Sequence, residues 1–362
     1  GDSVMAGLAH GLGGLKYDPK KRHRPPELNV FVAFVVIVLL FEVLGRLFVG
    51  DSFLFNTRDG IDTLFNEARL RIIILQVAII GIIALGVTQV IIAGGIDLSS
   101  GSIVGAAAMV GTMFAQSSIN QYGMENTDPV LGLAFLDLPI IIAIVAALAA
   151  GLLAGVINGL LIAYGKIPPF IVTLGMMLFA RGVANWTTKG KPISYLQEDY
   201  AQIGAGMTPV FIFLGAAVVM HVLLKYTRYG KHTYAIGSNE QAARMSGIDV
   251  DRLKVLIYAI AGFLSALAAI VLSSKALTGQ SGMGVMYELD AIAMAVIGGT
   301  SLAGGRGSVL GTCIGALIFG VIISGFTFMK LDAFYQEMAK GSIIVAAVLL
   351  DQWRARQQAA RN

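Results

Sequence analysis

Residues 70–93 read LRIIILQVAIIGIIALGVTQVIIA, and residues 94–101, which follow, read GGIDLSSG. The first stretch carries a single charge, Arg71, at its start. As a helix it would be about 36 Å long, enough for a hydrocarbon core of roughly 30 Å. Its apolar residues run without the alternation of a barrel strand, and backbone groups in hydrocarbon must be satisfied internally, so a helix is the remaining solution. The second stretch interrupts apolar sequence with turn formers and one carboxylate immediately before a new helical run. Asp97 or Ser99 can cap the helix that opens there, and the same interruption can place non-helical backbone along a polar path at membrane depth.

Outward from this point the pattern repeats. Ten apolar spans are predicted, at 29–48, 70–93, 100–117, 138–164, 168–187, 207–226, 255–274, 287–303, 307–328 and 338–352, the eighth and tenth short, tilted or discontinuous. The fold class is therefore an all-α integral membrane protein: a single transmembrane domain over 29–352, a tail at 1–28 and another at 353–362. Composition agrees. Of 362 residues 56% are hydrophobic and 13% charged, against roughly 45–50% and 25% in soluble domains, and mean hydropathy is +0.77.

Orientation follows from the Lys and Arg residues. Sixteen of the 26 fall on the side of the N-terminus, among them Lys16 to Arg24, Lys225, Arg228, Lys231, Arg244 and Arg252, against eight on the other side, with Arg46 and Arg181 inside spans. Both termini are predicted to be cytoplasmic. The loop 118–137 has acids and no base, which suits the outside. No small-x-small site follows Phe41, so an uncleaved first span is expected.

Gly151, Gly155 and Gly159, and again Gly307, Gly311 and Gly315, recur every fourth residue, a flat stripe suited to close helix packing within one subunit or between two. Residues 90–101 resemble 295–305 as an internal echo, parallel if the two lie six spans apart and inverted if five. Polar groups within spans are Gln76, Gln89, Asn158, Thr173, Arg181, Asn185, Ser324 and Thr327, with Glu288 and Asp290 near a span end. Each is read either as interhelical glue or as a contact for a hydroxyl-bearing solute, and the candidate pathway set is Gln76, Gln89, Asp97, Asn158, Thr173, Asn185 and Ser324. Glu42 and Arg46 have the spacing of a helical ion pair.

The longest cytoplasmic connector is 225–254. In it Ser238 and Gln241 have capping-box spacing and Gly247 suits a left-handed stop, framing a two-turn helix outside the bilayer. Its Ala242 and Ala243 are expected to form a small flat face, with Met245 and Ile248 adding apolar contact. Such a helix suits either another protein's groove or the lipid surface.

Other chemistries lack their residues. There is no Gly-x-x-x-x-Gly-Lys-Ser/Thr loop, so any ATP hydrolysis belongs to another chain. Cys313 has no partner for a disulfide or a thiolate metal site, and His10, His23, His221 and His232 show no metal spacing. The net charge of +4 is the topological bias of a membrane protein and not a nucleic-acid footprint.

Seven blocks carry a resemblance: Gly95-Ile96-Asp97-Leu98-Ser99, Asn158-Gly159, Pro168-Pro169-Phe170-Ile171-Val172-Thr173-Leu174-Gly175, Arg228-Tyr229-Gly230-Lys231, Asn239 to Gly247, Tyr287-Glu288-Leu289-Asp290-Ala291-Ile292-Ala293, and Gly298-Gly299-Thr300-Ser301-Leu302-Ala303-Gly304-Gly305-Arg306-Gly307. Their order resembles the permease subunits of bacterial sugar ABC importers, the ribose, galactose, xylose and inositol group, over residues 70–351. The resemblance implies a homodimer of ten-helix subunits in the bacterial inner membrane, a periplasmic sugar-binding protein, and a cytoplasmic ATPase that holds the ATP and Mg. It also implies that Ser238, Asn239, Glu240, Gln241, Ala242, Ala243, Arg244, Met245, Ser246 and Gly247 dock on that ATPase. A branched-chain amino-acid permease is the nearer alternative. An ion-coupled secondary transporter, with Asp97 beside Arg181, is the more distant one. The loop 118–137 and the basic tail before Pro25 lie outside the family's common pattern.

Overall fold

The computed structural model describes residues 25–57 and 64–361; the basic stretch from Lys16 to Arg24, and Arg58, lie outside the described residues. The described residues form thirteen α-helices: α1 Pro26–Leu44, continued by a π turn Gly45–Val49, α2 Glu67–Ile92, α3 Ser100–Phe114, α4 Ile140–Ala163, α5 Pro169–Thr188, α6 Glu198–Gln202, α7 Thr208–Tyr226, α8 Arg228–Ser238, α9 Glu240–Met245, α10 Val250–Ala276, α11 Tyr287–Ile297, α12 Val309–Phe328 and α13 Ala333–Arg361. Isolated bridges, such as Ile193 with Gly279, are the only strand-like pairings among them.

Sequence chemistry sets the helix starts. Pro169 opens α5 and Pro209 lies in the first turn of α7, positions where a missing N–H costs nothing. Asn66, Asp249 and Ser308 cap α2, α10 and α12 by accepting from the backbone N–H three residues on.

Eight helices are long and apolar enough to cross a membrane: α1 with its π turn, α2, α4, α5, α7, α10, α12 and α13. The predicted third and eighth spans are the 15-residue α3 and the 11-residue α11, about 22 and 16 Å long and too short to cross alone. Each is preceded by non-helical chain, residues 93–99 and 277–286. The third span is thus shorter than expected. The tenth is longer: α13 has 29 residues and a length of about 43 Å. Charge ends the apolar run near residue 352, but the following Gln, Ala and Arg residues are good helix formers and carry the helix on.

The core is made by α2, α3, α10 and α11, each of which buries most of its residues, with α7 and α12 packed against them. The glycine stripes serve packing within the chain. A Cβ at Gly151, Gly155 or Gly159 of α4 would collide with the α10 backbone at Gly262, Tyr258 or Val255, and one at Gly311 or Gly315 of α12 with carbonyls of Gly298 or Met294. The echoed stretches 90–101 and 295–305 meet at one end of the bundle, where the Gly305 N–H donates to the Ile92 carbonyl at 2.8 Å.

Glu42 and Arg46 form the expected pair at 2.8 Å. The carboxylate also accepts from the Ser52 hydroxyl at 2.6 Å and the Leu54 N–H at 2.8 Å, tying the chain after α1 back to that helix.

Candidate functional site

At the interruption between α2 and α3, Asp97 is 1% exposed. Its Oδ1 accepts from the Ser99 N–H at 2.8 Å and the Ser99 hydroxyl at 2.6 Å, and Asn158 of α4 donates to that hydroxyl at 3.0 Å. Asp97 therefore fixes Ser99, the residue before α3, but no side chain accepts from the first-turn N–H groups of that helix, so the cap expected from Asp97 or Ser99 is not formed. No ion pair includes Asp97 among the described residues. Around this chain the Ser100 hydroxyl, the Asn158 carbonyl oxygen and the Tyr258 hydroxyl are buried without a partner.

The second interruption, 277–286, is held by Arg181. Its Nη1 donates to the carbonyls of Ser281 at 2.7 Å and Met283 at 2.6 Å, and its Nη2 to the carbonyl of Gly101 at 3.2 Å. Glu288 is the acid whose charge acts on it, without a salt bridge between the two. One guanidinium fork thus supplies donors to backbone that has left the helical ladder, the need that membrane burial imposes. A direct pair between Asp97 and Arg181 is not formed.

The seven pathway candidates do not converge. Asp97 and Asn158 meet through Ser99. Gln89 is fully buried, donating to the Ile257 carbonyl at 3.0 Å and accepting from the Tyr229 hydroxyl, so its amide is spent on α10 and α8. Thr173 donates to the Pro169 carbonyl of its own helix at 2.8 Å, and Asn185 lies exposed and bonds back to Arg181. Gln76 lines a cavity of about 580 Å³ between α2, α10, α11, α12 and α13, with Lys275 of α10 in its wall, and Ser324 lines a second of about 830 Å³ near Arg69. The first cavity also takes in Tyr287, Asp290 and Lys340. Sequence reading missed this group because its members sit in several different spans, and only packing joins them.

In the connector 225–254 the structure shows two helices, α8 and α9, where one was expected. Helix α8 buries Gly230, Thr233 and Ile236, and its Tyr234 hydroxyl donates to the Gly307 carbonyl. Because α8 runs through Ser238, the cap of α9 is Asn239, whose Oδ1 accepts from the Ala242 N–H at 3.0 Å, and not Ser238. Gly247 has φ +90° and ends the element as predicted. The two alanines part company: Ala243 packs inward with Ile236 and Val250, whereas Gln241, Ala242 and Met245 face out, Met245 being 90% exposed. Side-chain links fasten α9 to α10. Lys254 donates to Glu240 at 2.9 Å, and Arg244 reaches Glu240 at 3.2 Å and Asp251 at 2.8 Å. Burial pushes the Glu240 carboxyl up, but the bonds and charges of Lys254 and Arg244 outweigh it and hold the group below the usual carboxylate range.

Comparison with known proteins places this arrangement. The chain is 42% identical to the ribose import permease protein RbsC of Bacillus subtilis over 334 residues, covering 90% of this chain and 92% of that protein. It is 36% identical to RbsC of Escherichia coli K12 over 90% of this chain and 93% of the relative. Against the galactose/methyl galactoside import permease protein MglC of Escherichia coli K12 it is 35% identical over 80% of this chain and 88% of the relative. No solved structure matches significantly. The family model for the branched-chain amino acid transport system / permease component matches residues 70–349, a range that begins at α2 and ends within α13, and the chain belongs to that family.

Proposed function

We propose that this chain is the membrane-spanning permease of an ATP-driven importer that moves a monosaccharide of the ribose or galactose kind across the bacterial inner membrane. Two copies form the translocating unit, both termini and α9 lie in the cytoplasm, a periplasmic binding protein delivers the sugar, and a separate ATPase supplies the energy. The observation that carries the reading is α9 itself. A short capped helix presents Met245, Ala242 and Gln241 outward, while ion pairs to α10 and the α8 anchors on Gln89 and Gly307 join it to the bundle core. A load applied to Met245 is thereby passed to α2, α10 and the chain between α11 and α12. ATP binding in the partner must favour one arrangement of the bundle over the other through such contacts, since equal contacts in both states shift nothing.

The relatives named as ribose and galactose permeases support the sugar class over an amino acid. The ion-coupled reading would call for a free ionisable pair, and Arg181 is engaged with backbone carbonyls.

The test uses Met245→Arg in the complete transporter. Truncated contacts at interface centres cost about 2 kcal/mol, roughly 30-fold in affinity. ATPase co-purification and ATP-driven ribose uptake into proteoliposomes should fall together while membrane insertion persists. Uptake of leucine but of neither ribose nor galactose would overturn the substrate class, and uptake that survives ATP depletion but collapses with an ion gradient would overturn the mechanism. Ala243→Arg would be the wrong probe, because it unseats α9 from Ile236 and Val250.

A further inference from the structure

Three buried oxygens that the chain leaves without a partner, Ser100 Oγ, Asn158 Oδ1 and the Tyr258 hydroxyl, border one carboxylate. Asp97 accepts both of its hydrogen bonds at Oδ1, and none reaches Oδ2 among the described residues. Ser100 and Tyr258 lie within electrostatic reach of Asp97, and the Tyr258 hydroxyl takes the place that a Cβ on Gly95 would occupy. Asn158 joins the group through Ser99, to whose hydroxyl it donates at 3.0 Å while its own carbonyl oxygen stays unused. All four residues are at most 3% exposed. The carbonyls of residues 94–98, in the same interruption, accept from no backbone N–H among the described residues.

The charges around this group do not balance. Asp97 and Arg181 both act on Glu288, so two carboxylates share one guanidinium, while the next acid, Asp290, has Lys340 as its ionic partner. The positive end of α3 offsets about half a charge at most. A net negative charge is left in a dry place, which is costly unless a cation joins it.

The donor set selects that cation. Every unpartnered atom here is an oxygen, with no imidazole or thiolate beside it, which disfavours zinc, copper and iron. Calcium would overshoot the missing charge and calls for roughly six to eight oxygens, and no cluster of three His, Cys, Asp or Glu residues stands ready among the described residues. A water molecule can donate to Asp97 and Asn158 but leaves the charge unmet. A singly charged alkali cation supplies what is missing and accepts hydroxyl, amide and unwound-backbone oxygens as ligands, as at other broken membrane helices.

We propose that the break between α2 and α3 holds one dehydrated alkali cation, for which sodium is the probe, bound by Asp97, Ser100, Asn158 and Tyr258. The ion ties the break to α4 and α10, the helices that carry Asn158 and Tyr258. The assignment is independent of which solute the chain carries.

The full chain, purified in detergent, carries the test, with N-methyl-D-glucamine chloride replacing sodium chloride at constant ionic strength. Sodium at about ten times its Kd should lift the thermal midpoint by about 2–4 °C, and equilibrium dialysis with radioactive sodium should show one ion per chain at saturation. Asp97→Asn removes the unmet charge and should abolish the lift. Tyr258→Phe keeps the ring and removes one oxygen, so half of the lift should need about fivefold more sodium or above. No lift, or no bound ion, in the unmodified chain overturns the proposal. So does an unchanged lift in Asp97→Asn or, where that variant does not fold, in Tyr258→Phe. A midpoint indifferent to sodium that rises as pH falls from about 8 to about 6 overturns it as well, because a proton on Asp97 then takes the place assigned to the ion.

Discussion

Two side chains in this protein accept from backbone N–H groups at helix entries in opposite surroundings. Asp97 accepts from the Ser99 N–H at the entry to α3, and Asn239 accepts from the Ala242 N–H at the entry to α9. Asp97 is buried at 1% exposure, a carboxylate with no counter-charge, while Asn239 is exposed. If the first acceptor is removed, the Ser99 N–H and hydroxyl are left without one inside the protein. If the second is removed, water replaces it. The lesson is that an acceptor's energetic weight comes from what can substitute for it, not from its own bond length.

The largest effect should come from the group that supplies donors to the second interruption. Arg181→Met leaves the carbonyls of Ser281 and Met283 without their charged donor, and at about 1.5–3 kcal/mol for each such bond the loss is about 3–6 kcal/mol. The thermal midpoint of the solubilised protein should fall by roughly 5 °C or more. Arg181→Lys should recover only part, because an ammonium lacks the planar fork that reaches three carbonyls. An unchanged midpoint for Arg181→Met would mean that water already serves this segment.

A smaller effect separates the two acceptors themselves. Asp97→Ala should cost about 1–2 kcal/mol and Asn239→Ala about 0.5–1 kcal/mol, read as the difference between the two variants' midpoints. Asp97→Asn keeps an acceptor for Ser99, so ATP-driven uptake should be mostly retained. Complete loss of uptake in a normally folded Asp97→Asn protein would give the carboxylate a charge-dependent role and end the parallel with Asn239.

How much of this was legible in the sequence divides along the same line. Apolar length and turn-forming interruptions announce spans and breaks, because bilayer thickness and backbone satisfaction leave few alternatives. Residues 94–101 accordingly read correctly as an interruption before α3, although neither Asp97 nor Ser99 caps that helix. The length of α13 was not legible, since its polar end is helical by propensity and not by hydrophobicity. Nor was α8, whose burial depends on Gln89 and Gly307 from distant segments. The misplaced cap at Ser238 follows from that: with α8 unseen, Ser238 looked like loop. At the candidate sites, Gln76 could be named as a polar group in a span, but its meeting with Tyr287, Asp290 and Lys340 is a fact of packing. The inward turn of Ala243 likewise depends on Ile236 and Val250.

The smallest expected effect lies at the wet end of the comparison and runs with pH. Glu240 is held below the usual carboxylate range because the hydrogen bonds and charges of Lys254 and Arg244 outweigh its desolvation. A lowered folded-state value means that the unfolded chain binds the proton more readily. The stabilisation is therefore fully present above the ordinary glutamate value of about 4.3 and is lost as pH falls through the folded-state value. Its amplitude is small, because the Glu240 side chain is 42% exposed and solvent screens such pairs. Amide exchange protection in α9 should therefore stay level between about pH 7 and pH 5 and decline below that. Glu240→Gln should remove part of the decline, and what remains belongs to Asp251, the other carboxylate on Arg244. If the decline is identical in Glu240→Gln, Asp251 carries it alone, and the pairs of Glu240 with Lys254 and Arg244 contribute nothing to the order of α9.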